Sequence, residues 1–299
     1  MSLKLENVTK RFGSLTAVNQ LSLEIPSNEI FGFLGANGAG KTTTFRMILG
    51  LLDLSNGSIL WNGRPINYET SPYIGYLPEE RGLYPKLKVK DQVVYLARLR
   101  GMDKQNAEKE LKKWLDRFQV PQYEMKKVEE LSKGNQQKIQ FITAVLHKPK
   151  LLILDEPFSG LDPVNVELLK EAVLDLKNSG TTIVFSSHRM EHVEELCEHV
   201  CIMQKGSPVL SGSLREIKRS FGKKNISIAA DFSLDYLKEF PGVLKWKKTS
   251  EGALLQVETE EVGQPILESL IGKGFVRKFS IDEPSLNDIF IEKVGLSYE

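Results

Sequence analysis

The segment from Ile30 to Leu49 limits the chain to few folds. Ile30-Phe31-Gly32-Phe33-Leu34 is an apolar run of strand length, and Gly35-Ala36-Asn37-Gly38-Ala39-Gly40-Lys41-Thr42-Thr43 is a glycine-rich loop. Thr44-Phe45-Arg46-Met47-Ile48-Leu49 then continues as a helix that ends near Gly50. Gly35, Gly40, Lys41 and Thr42 fit the phosphate-binding spacing G-x-x-x-x-G-K-[ST]. Glycines let backbone N–H groups turn inward around phosphate oxygens. The helix that follows aims the positive end of its dipole at the same anion. Lys41 is placed to reach the β- and γ-phosphates, and the Thr42 hydroxyl to bind Mg²⁺. The plain alternative is a glycine-rich turn between a strand and a helix. The stretch indicates a nucleotide, without saying which machine uses it.

The rest of the chain sets bounds on that machine. With 299 residues the chain suits one large domain plus a smaller one. Its net charge of +1 supplies no global field to hold nucleic acid, so no nucleic-acid partner is expected. No apolar run approaches the roughly 18 residues that a membrane span needs. Met1-Ser2-Leu3-Lys4-Leu5 passes directly into strand-like alternation, with no signal peptide. A cytoplasmic location is the expectation, with any membrane role supplied by a partner. Cys197 and Cys201 lie near His192 and His199, but one ends a helical stretch and the other opens an apolar strand. They read as reduced, buried small hydrophobes rather than metal ligands.

Periodicity predicts the organisation. Leu3 to Val8 and Leu21 to Ile25 alternate as half-buried strands do. Ser58 to Trp61 reads as a strand closed by Asn62-Gly63. From about Val89 to His147 the period becomes helical, with Leu111, Trp114, Leu115 and Phe118 on one face and lysines opposite. The α/β rhythm then returns. Leu151 to Leu154 and Thr181 to Phe185 are continuous apolar runs of the kind buried on both faces of a parallel sheet. Helices are expected over Val166–Asn178 and Met190–Glu198, and a hairpin around Lys205-Gly206. After a seam near Phe221-Gly222, strands and helices follow in the order β-α-β-β-α-β, which suggests a small ferredoxin-like module.

Two further stretches carry chemistry. The run Leu151-Leu152-Ile153-Leu154 delivers Asp155 to the carboxyl end of its strand, where open α/β sheets bind ligands. Asp155 would hold Mg²⁺ through water. Glu156, one residue on, could act as general base on the attacking water. A strand followed by an acidic turn is the alternative. In Leu131-Ser132-Lys133-Gly134-Asn135-Gln136-Gln137-Lys138, Ser132 is a natural N-cap and Gly134 exposes backbone N–H groups as a helix begins. That is a second anion site, which one nucleotide in one subunit does not need. An ordinary capped helix is the alternative.

Taken in order, these stretches resemble the ATP-binding subunits of ABC transporters over residues 1 to about 215. Gly35 to Thr43 matches the Walker A loop, Leu131 to Lys138 the family signature, and Leu151 to Glu156 Walker B. Ser159-Gly160-Leu161-Asp162 resembles the D-loop, His188 the switch histidine, and Phe12 the aromatic residue placed against adenine. The resemblance implies an ATPase using ATP and Mg²⁺, in which two subunits pair head to tail as a homodimer or heterodimer. It implies that Ser132 and Gly134 of one subunit close on the nucleotide held by Gly35, Ala36, Asn37, Gly38, Ala39, Gly40, Lys41, Thr42 and Thr43 of the other. Catalytic roles fall to Lys41, Glu156 and His188, and metal ligation to Thr42, Glu79 and Asp155. The chain departs from the family twice. Glu79 follows Tyr76-Leu77-Pro78 where the family has Gln, and Lys133 and Asn135 replace Gly and Gln. The added charges of Glu79 and Lys133 are expected to offset one another.

The whole is expected to be α/β: a P-loop NTPase core of the ABC-ATPase type over residues 1–220, with an inserted helical subdomain at about 85–148. A small C-terminal α+β domain of ferredoxin-like type is expected over 221–299. The ending Ile281-Asp282-Glu283-Pro284-Ser285-Leu286-Asn287-Asp288-Ile289-Phe290 resembles exporter subunits of the ABC-2 type, including sodium- and drug-efflux ATPases. The expected partner is an integral membrane permease, met through Glu79 to Leu87 with Leu83, Tyr84 and Leu87. The subunit would then be peripheral on the inner face of the cell membrane. The rival reading is a regulatory or soluble ATPase of the same family, not coupled to transport.

Overall fold

The computed structural model describes residues 2–80 and 82–295. Met1, Arg81, within the stretch expected to meet a permease, and residues 296–299 of the expected C-terminal domain lie outside the described residues. The chain divides into two compact units, Met1–Gly212 and Ser213–Glu299.

The first unit contains two sheets. Strands β1 (Ser2–Phe12), β2 (Leu15–Pro26), β4 (Asn56–Trp61) and β5 (Arg64–Pro65) form an antiparallel sheet in the order β2-β1-β4-β5. The second sheet runs β10-β9-β3-β8-β7-β6. Its strands are β3 (Ile30–Leu34), β6 (Ile74–Leu77), β7 (Leu151–Asp155), β8 (Thr182–Ser187), β9 (His199–Gln204) and β10 (Ser207–Ser213). The pairs β3–β8, β3–β9, β7–β8 and β6–β7 are all parallel. Every residue of β3, β7 and β8 is buried, as the continuous apolar runs require of strands covered on both faces.

Register explains why the functional loops meet. Leu34 lies opposite Ser187, and Ser186 opposite Asp155. The carboxyl ends of β3, β8 and β7 therefore fall level, and the loops that leave them share one edge of the sheet. Helix α1 (Lys41–Ile48) leaves the glycine loop and buries Phe45 edge-on against Phe33, with ring centroids 5.4 Å apart. Helices α5 (Pro163–Asn178) and α6 (Met190–Leu196) complete the α/β layers.

The helical insert consists of α2 (Val89–Leu99), α3 (Lys104–Arg117) and α4 (Lys133–Val145), with two short 3₁₀ turns before α4. Asp103 caps α3 by accepting from the Asn106 N–H at 3.0 Å. Phe118, just past α3, packs edge-on against Phe141 of α4 at 5.8 Å. Ile139, Phe141 and Ile142 are fully buried, so α4 is held firmly against its surroundings.

The second unit begins with helix α7 (Leu214–Ser220). Strands β11 (Lys224–Ala230), β12 (Val243–Lys248), β13 (Gly252–Val257) and β14 (Val276–Asp282) follow, with α8 (Gly263–Leu270) before β14 and α9 (Leu286–Gly295) after it. The sheet order β12-β13-β11-β14, antiparallel throughout, is that of a ferredoxin-like split β-α-β unit. One expected helix differs. Asp235–Glu239 forms a 3₁₀ turn in place of the α-helix expected over Leu234–Phe240. Pro241 disfavours helical geometry at Phe240, which is extended, and the turn that remains is too short for an α-helix. The tail motif folds onto its own unit. Asp288 accepts from the Ser285 N–H and hydroxyl at 3.0 and 2.7 Å, and from Asn225 Nδ2 at 2.7 Å.

Candidate active site

The glycine loop is shaped by close backbone approach. A Cβ on Gly35, at φ +153°, would lie 2.5 Å from the Met203 carbonyl oxygen. A Cβ on Gly40, at φ +105°, would lie 2.7 Å from that of Ala17. Both positions therefore need glycine for room and for dihedral angle, and the obstruction comes from the protein's own backbone. The loop encloses one side of a cavity of about 350 Å³, lined by residues 37–43 together with Ala17, Glu79, Asp155 and Glu156. Lys41 is buried and donates to the carbonyls of Gly35 and Ala36 at 2.7 and 3.3 Å. Burial pulls its pKa down, and the carboxylates of Glu156, Asp155 and Glu79 pull it back up.

The opposite wall is a linked carboxylate pair. Ser186 of β8 donates its hydroxyl to Asp155 Oδ1 at 2.5 Å and accepts from the Glu156 N–H at 3.0 Å. Asp155 Oδ2 is buried with no partner among the described residues. Glu156 sits at φ +50°, a strained angle for a residue with a side chain, just past the end of β7. Its Oε2 meets His188 Nδ1 at 2.9 Å, while Oε1 is buried and unpartnered among the described residues. Burial raises the pKa of Glu156, and the hydrogen bond from His188 opposes that shift. The result is a carboxylate more basic than usual in the wall of the cavity.

Helix α4 reaches this wall from behind. Gln137 donates to the Pro157 carbonyl at 3.0 Å, one residue beyond Glu156. Gln140 donates to the carbonyls of Pro78 and Glu80 at 3.1 Å each, on either side of Glu79. Ser186, Gln137 and Gln140 were not singled out from sequence. Only Gln140 carried a signal in the sequence, a polar side chain between the apolar Ile139 and Phe141 that must find a partner once buried, whereas Gln137 and Ser186 have polar neighbours.

The structure places the remaining candidates elsewhere. Ser132 caps α4, accepting from the Asn135 N–H at 3.4 Å, and neither Ser132 nor Gly134 lines the cavity. Gly134 instead lies beside Gly160 and Leu161. Asp162 caps α5 by accepting from the Asn165 N–H at 3.0 Å. Phe12, at the end of β1, is 48% exposed, with Lys10 Nζ 5.2 Å from its ring centroid. Cys197 and Cys201 are buried free thiols. A second cavity, of about 540 Å³, lies between the parallel sheet and the helical insert. Leu83, Leu96, Leu99 and Tyr76 give it apolar walls, with Arg100 and His147 at its edge. Tyr84 and Leu87 are exposed, whereas Leu83 is buried and packs rather than projects.

Known proteins resemble this chain in sequence and in fold. A family profile described as "ABC transporter" matches residues 18–159. One described as "ATP-binding protein DrrA1-3-like, C-terminal domain" matches residues 212–294. YhaQ of Bacillus subtilis (strain 168), an uncharacterized ABC transporter ATP-binding protein, is 68% identical over 297 residues, 99% of this chain and 100% of its own. The Nod factor export ATP-binding protein I of Cupriavidus metallidurans is 31% identical over 297 residues, 98% of this chain and 97% of that one. A solved structure of the ATP binding subunit of an ABC transporter matches with a TM-score of 0.70 at 28% identity, covering 74% of this chain and 94% of that one. Among the described residues no helix is long and apolar enough to cross a membrane. The chain belongs to the ATP-binding subunits of ABC transporters, a family of ATPases.

Proposed function

We propose that the chain is the ATP-hydrolysing subunit of an exporter, that two such subunits close on ATP, and that closure drives a separate membrane permease. The observation that carries this reading is the separation of two anion-binding features. The capped start of α4 at Ser132 and Gly134 stands apart from the cavity that Lys41 lines. A second subunit's nucleotide is the anion it suits. Export is supported by the name of the Nod factor export relative. The groove of about 540 Å³ with apolar walls beside Pro78 and Leu83 suits a helix of a permease.

In this reading the loop N–H groups and Lys41 cradle the phosphates, and the exposed ring of Phe12 stacks on the base. Thr42, Glu79 and Asp155 present only oxygen donors to one cavity, and Asp155 Oδ2 still lacks a partner among the described residues. This donor set fits Mg²⁺, which would neutralise phosphate charge there. Glu156 takes the proton of the attacking water, its free Oε1 being the acceptor. His188 holds the other oxygen, and so ties the orientation of Glu156 to the residue that would face the γ-phosphate. Asp162 lies next to Leu161, which packs on Gly134, and would sense the opposite site.

The test is Glu156→Gln, which keeps the size of the side chain and removes the proton acceptor. It should bind ATP, accumulate as a dimer by light scattering or size exclusion, and lose at least about a hundredfold in hydrolysis. Near-normal turnover would remove Glu156 from the role of base. A variant that binds ATP and stays monomeric at all concentrations would count against closure on ATP.

A further inference from the structure

We infer that Gln140 is a positioning residue that fixes Glu79 by holding the backbone on both sides of it. The inference rests on the reading of Glu79 as a metal ligand given above. Gln140 lies in the middle of α4, 4% exposed, between the fully buried Ile139 and Phe141. Leucine or methionine would suit such a place, because a buried amide is unfavourable unless it is hydrogen-bonded. Both bonds from Nε2 go to a single loop: to the Pro78 carbonyl and to the Glu80 carbonyl, each at 3.1 Å. Its Oε1 is buried and has no partner among the described residues, so the side chain acts as a donor only.

Two bonds that bracket one residue constrain more than one bond does. They hold the peptide plane just before Glu79 and the carbonyl of the residue just after it, and so restrict the direction in which the Glu79 side chain leaves the backbone. Pro78 stiffens the near side by its ring. Glu79 is exposed and lines the nucleotide cavity, so its carboxylate depends on its backbone for aim. The anchor itself is rigid, since α4 is buried along this face. Glu79 is thus referenced to the helix whose first turn carries Ser132 and Gly134. Residues that orient a metal ligand from behind it typically govern affinity as strongly as a weak ligand does.

The test compares equilibrium affinity for a non-hydrolysable ATP analogue in saturating Mg²⁺ and in EDTA. The wild type should bind more tightly with Mg²⁺. Gln140→Met, which keeps length and loses both donors, should lose about tenfold of that gain and leave the EDTA affinity unchanged. Glu79→Ala should lose the gain as well, and adding Gln140→Met to Glu79→Ala should change nothing further. If Glu79→Ala keeps the full Mg²⁺ gain, the metal role of Glu79 is wrong. If Glu79→Ala loses the gain and Gln140→Met does not, Glu79 stands and the positioning role of Gln140 is overturned. A Gln140→Met effect that appears equally in EDTA, or that adds fully to Glu79→Ala, marks a merely structural residue and overturns the inference. Gln140→Asn, too short to bridge both carbonyls, should behave as Gln140→Met and serves if the methionine variant does not fold.

Discussion

His147 shows how one side chain can make stability depend on pH. It follows the end of α4, and its Nε2–H donates to the Ile74 carbonyl at 3.1 Å, since a carbonyl can only accept. Nδ1 is buried and has no partner among the described residues. Protonation would bury a second N–H and a full charge with nothing to receive them. Burial accordingly lowers the pKa from 6.5 to about 4, and the nearby Arg100 adds to the shift against the bond to Ile74. The folded state thus holds fewer protons than the unfolded chain between these values. The contribution is fully present above pH 6.5 and is lost as pH falls towards 4. It amounts to on the order of 3 kcal/mol. Thermal melts at pH 7.5 and pH 5 should therefore show a smaller drop for His147→Gln than for the wild type. Glutamine keeps a donor for Ile74 and cannot titrate. Equal drops would show that His147 is not the group responsible.

Helix α4 acts as a unit because several of its polar side chains end on other elements. Lys138 is buried and its ammonium donates to the Phe118 carbonyl at 3.1 Å, at the carboxyl end of α3. A cation there offsets the helix dipole and satisfies a carbonyl that α3 cannot. Against this stands the penalty of burying the charge, which pulls the pKa of Lys138 down, with Asp162 opposing. A charged hydrogen bond outweighs that penalty here, so Lys138→Met should cost about 1–2 kcal/mol in urea unfolding. A stabilised variant would mean that the penalty wins. The arms of α4 also mark what could and could not be read from the sequence. Strands β3, β7 and β8 were legible, because a run such as Leu151-Leu152-Ile153-Leu154 states its own burial. The glycine loop was legible for the same reason, its chemistry being local. The partners of Ser186, Gln137 and Gln140 were not, because their bonds join residues 20 to 62 positions apart. The 3₁₀ turn at Asp235–Glu239 was missed because propensity marks a helix without saying how little room Pro241 leaves for it. Register, which brings Ser186 level with Asp155, is likewise a property of the folded sheet.

At the scale of the whole molecule, the two departures from the family pattern become a single question. Glu79 lines the nucleotide cavity, and Lys133 is exposed at the first turn of α4, outside it. Within one chain no hydrogen bond or ion pair joins their two side chains among the described residues, so a direct charge coupling between them would pass between subunits. In the head-to-tail dimer proposed above, Lys133 of one subunit would face the nucleotide beside Glu79 of the other. The extra negative charge near the γ-phosphate would then be offset by an extra positive charge from the partner. A double-mutant cycle tests this in the dimer. Glu79→Gln removes the negative charge and Lys133→Gly the positive one, and each alone should lower ATPase by unbalancing the site. The double variant should lose less than the two single losses combined, by roughly 0.5–1 kcal/mol of interaction. Because the pair is near the surface, this surplus should shrink between about 50 mM and about 500 mM salt. Mixing the two single variants supplies the geometric control. In a mixed dimer, one composite site carries both substitutions, while the other keeps Glu79 with Lys133. Mixing should therefore restore activity above the average of the two separate variants if the charges meet across the interface. Strict additivity in the cycle, with mixtures equal to the average, would show that Glu79 and Lys133 act on separate steps.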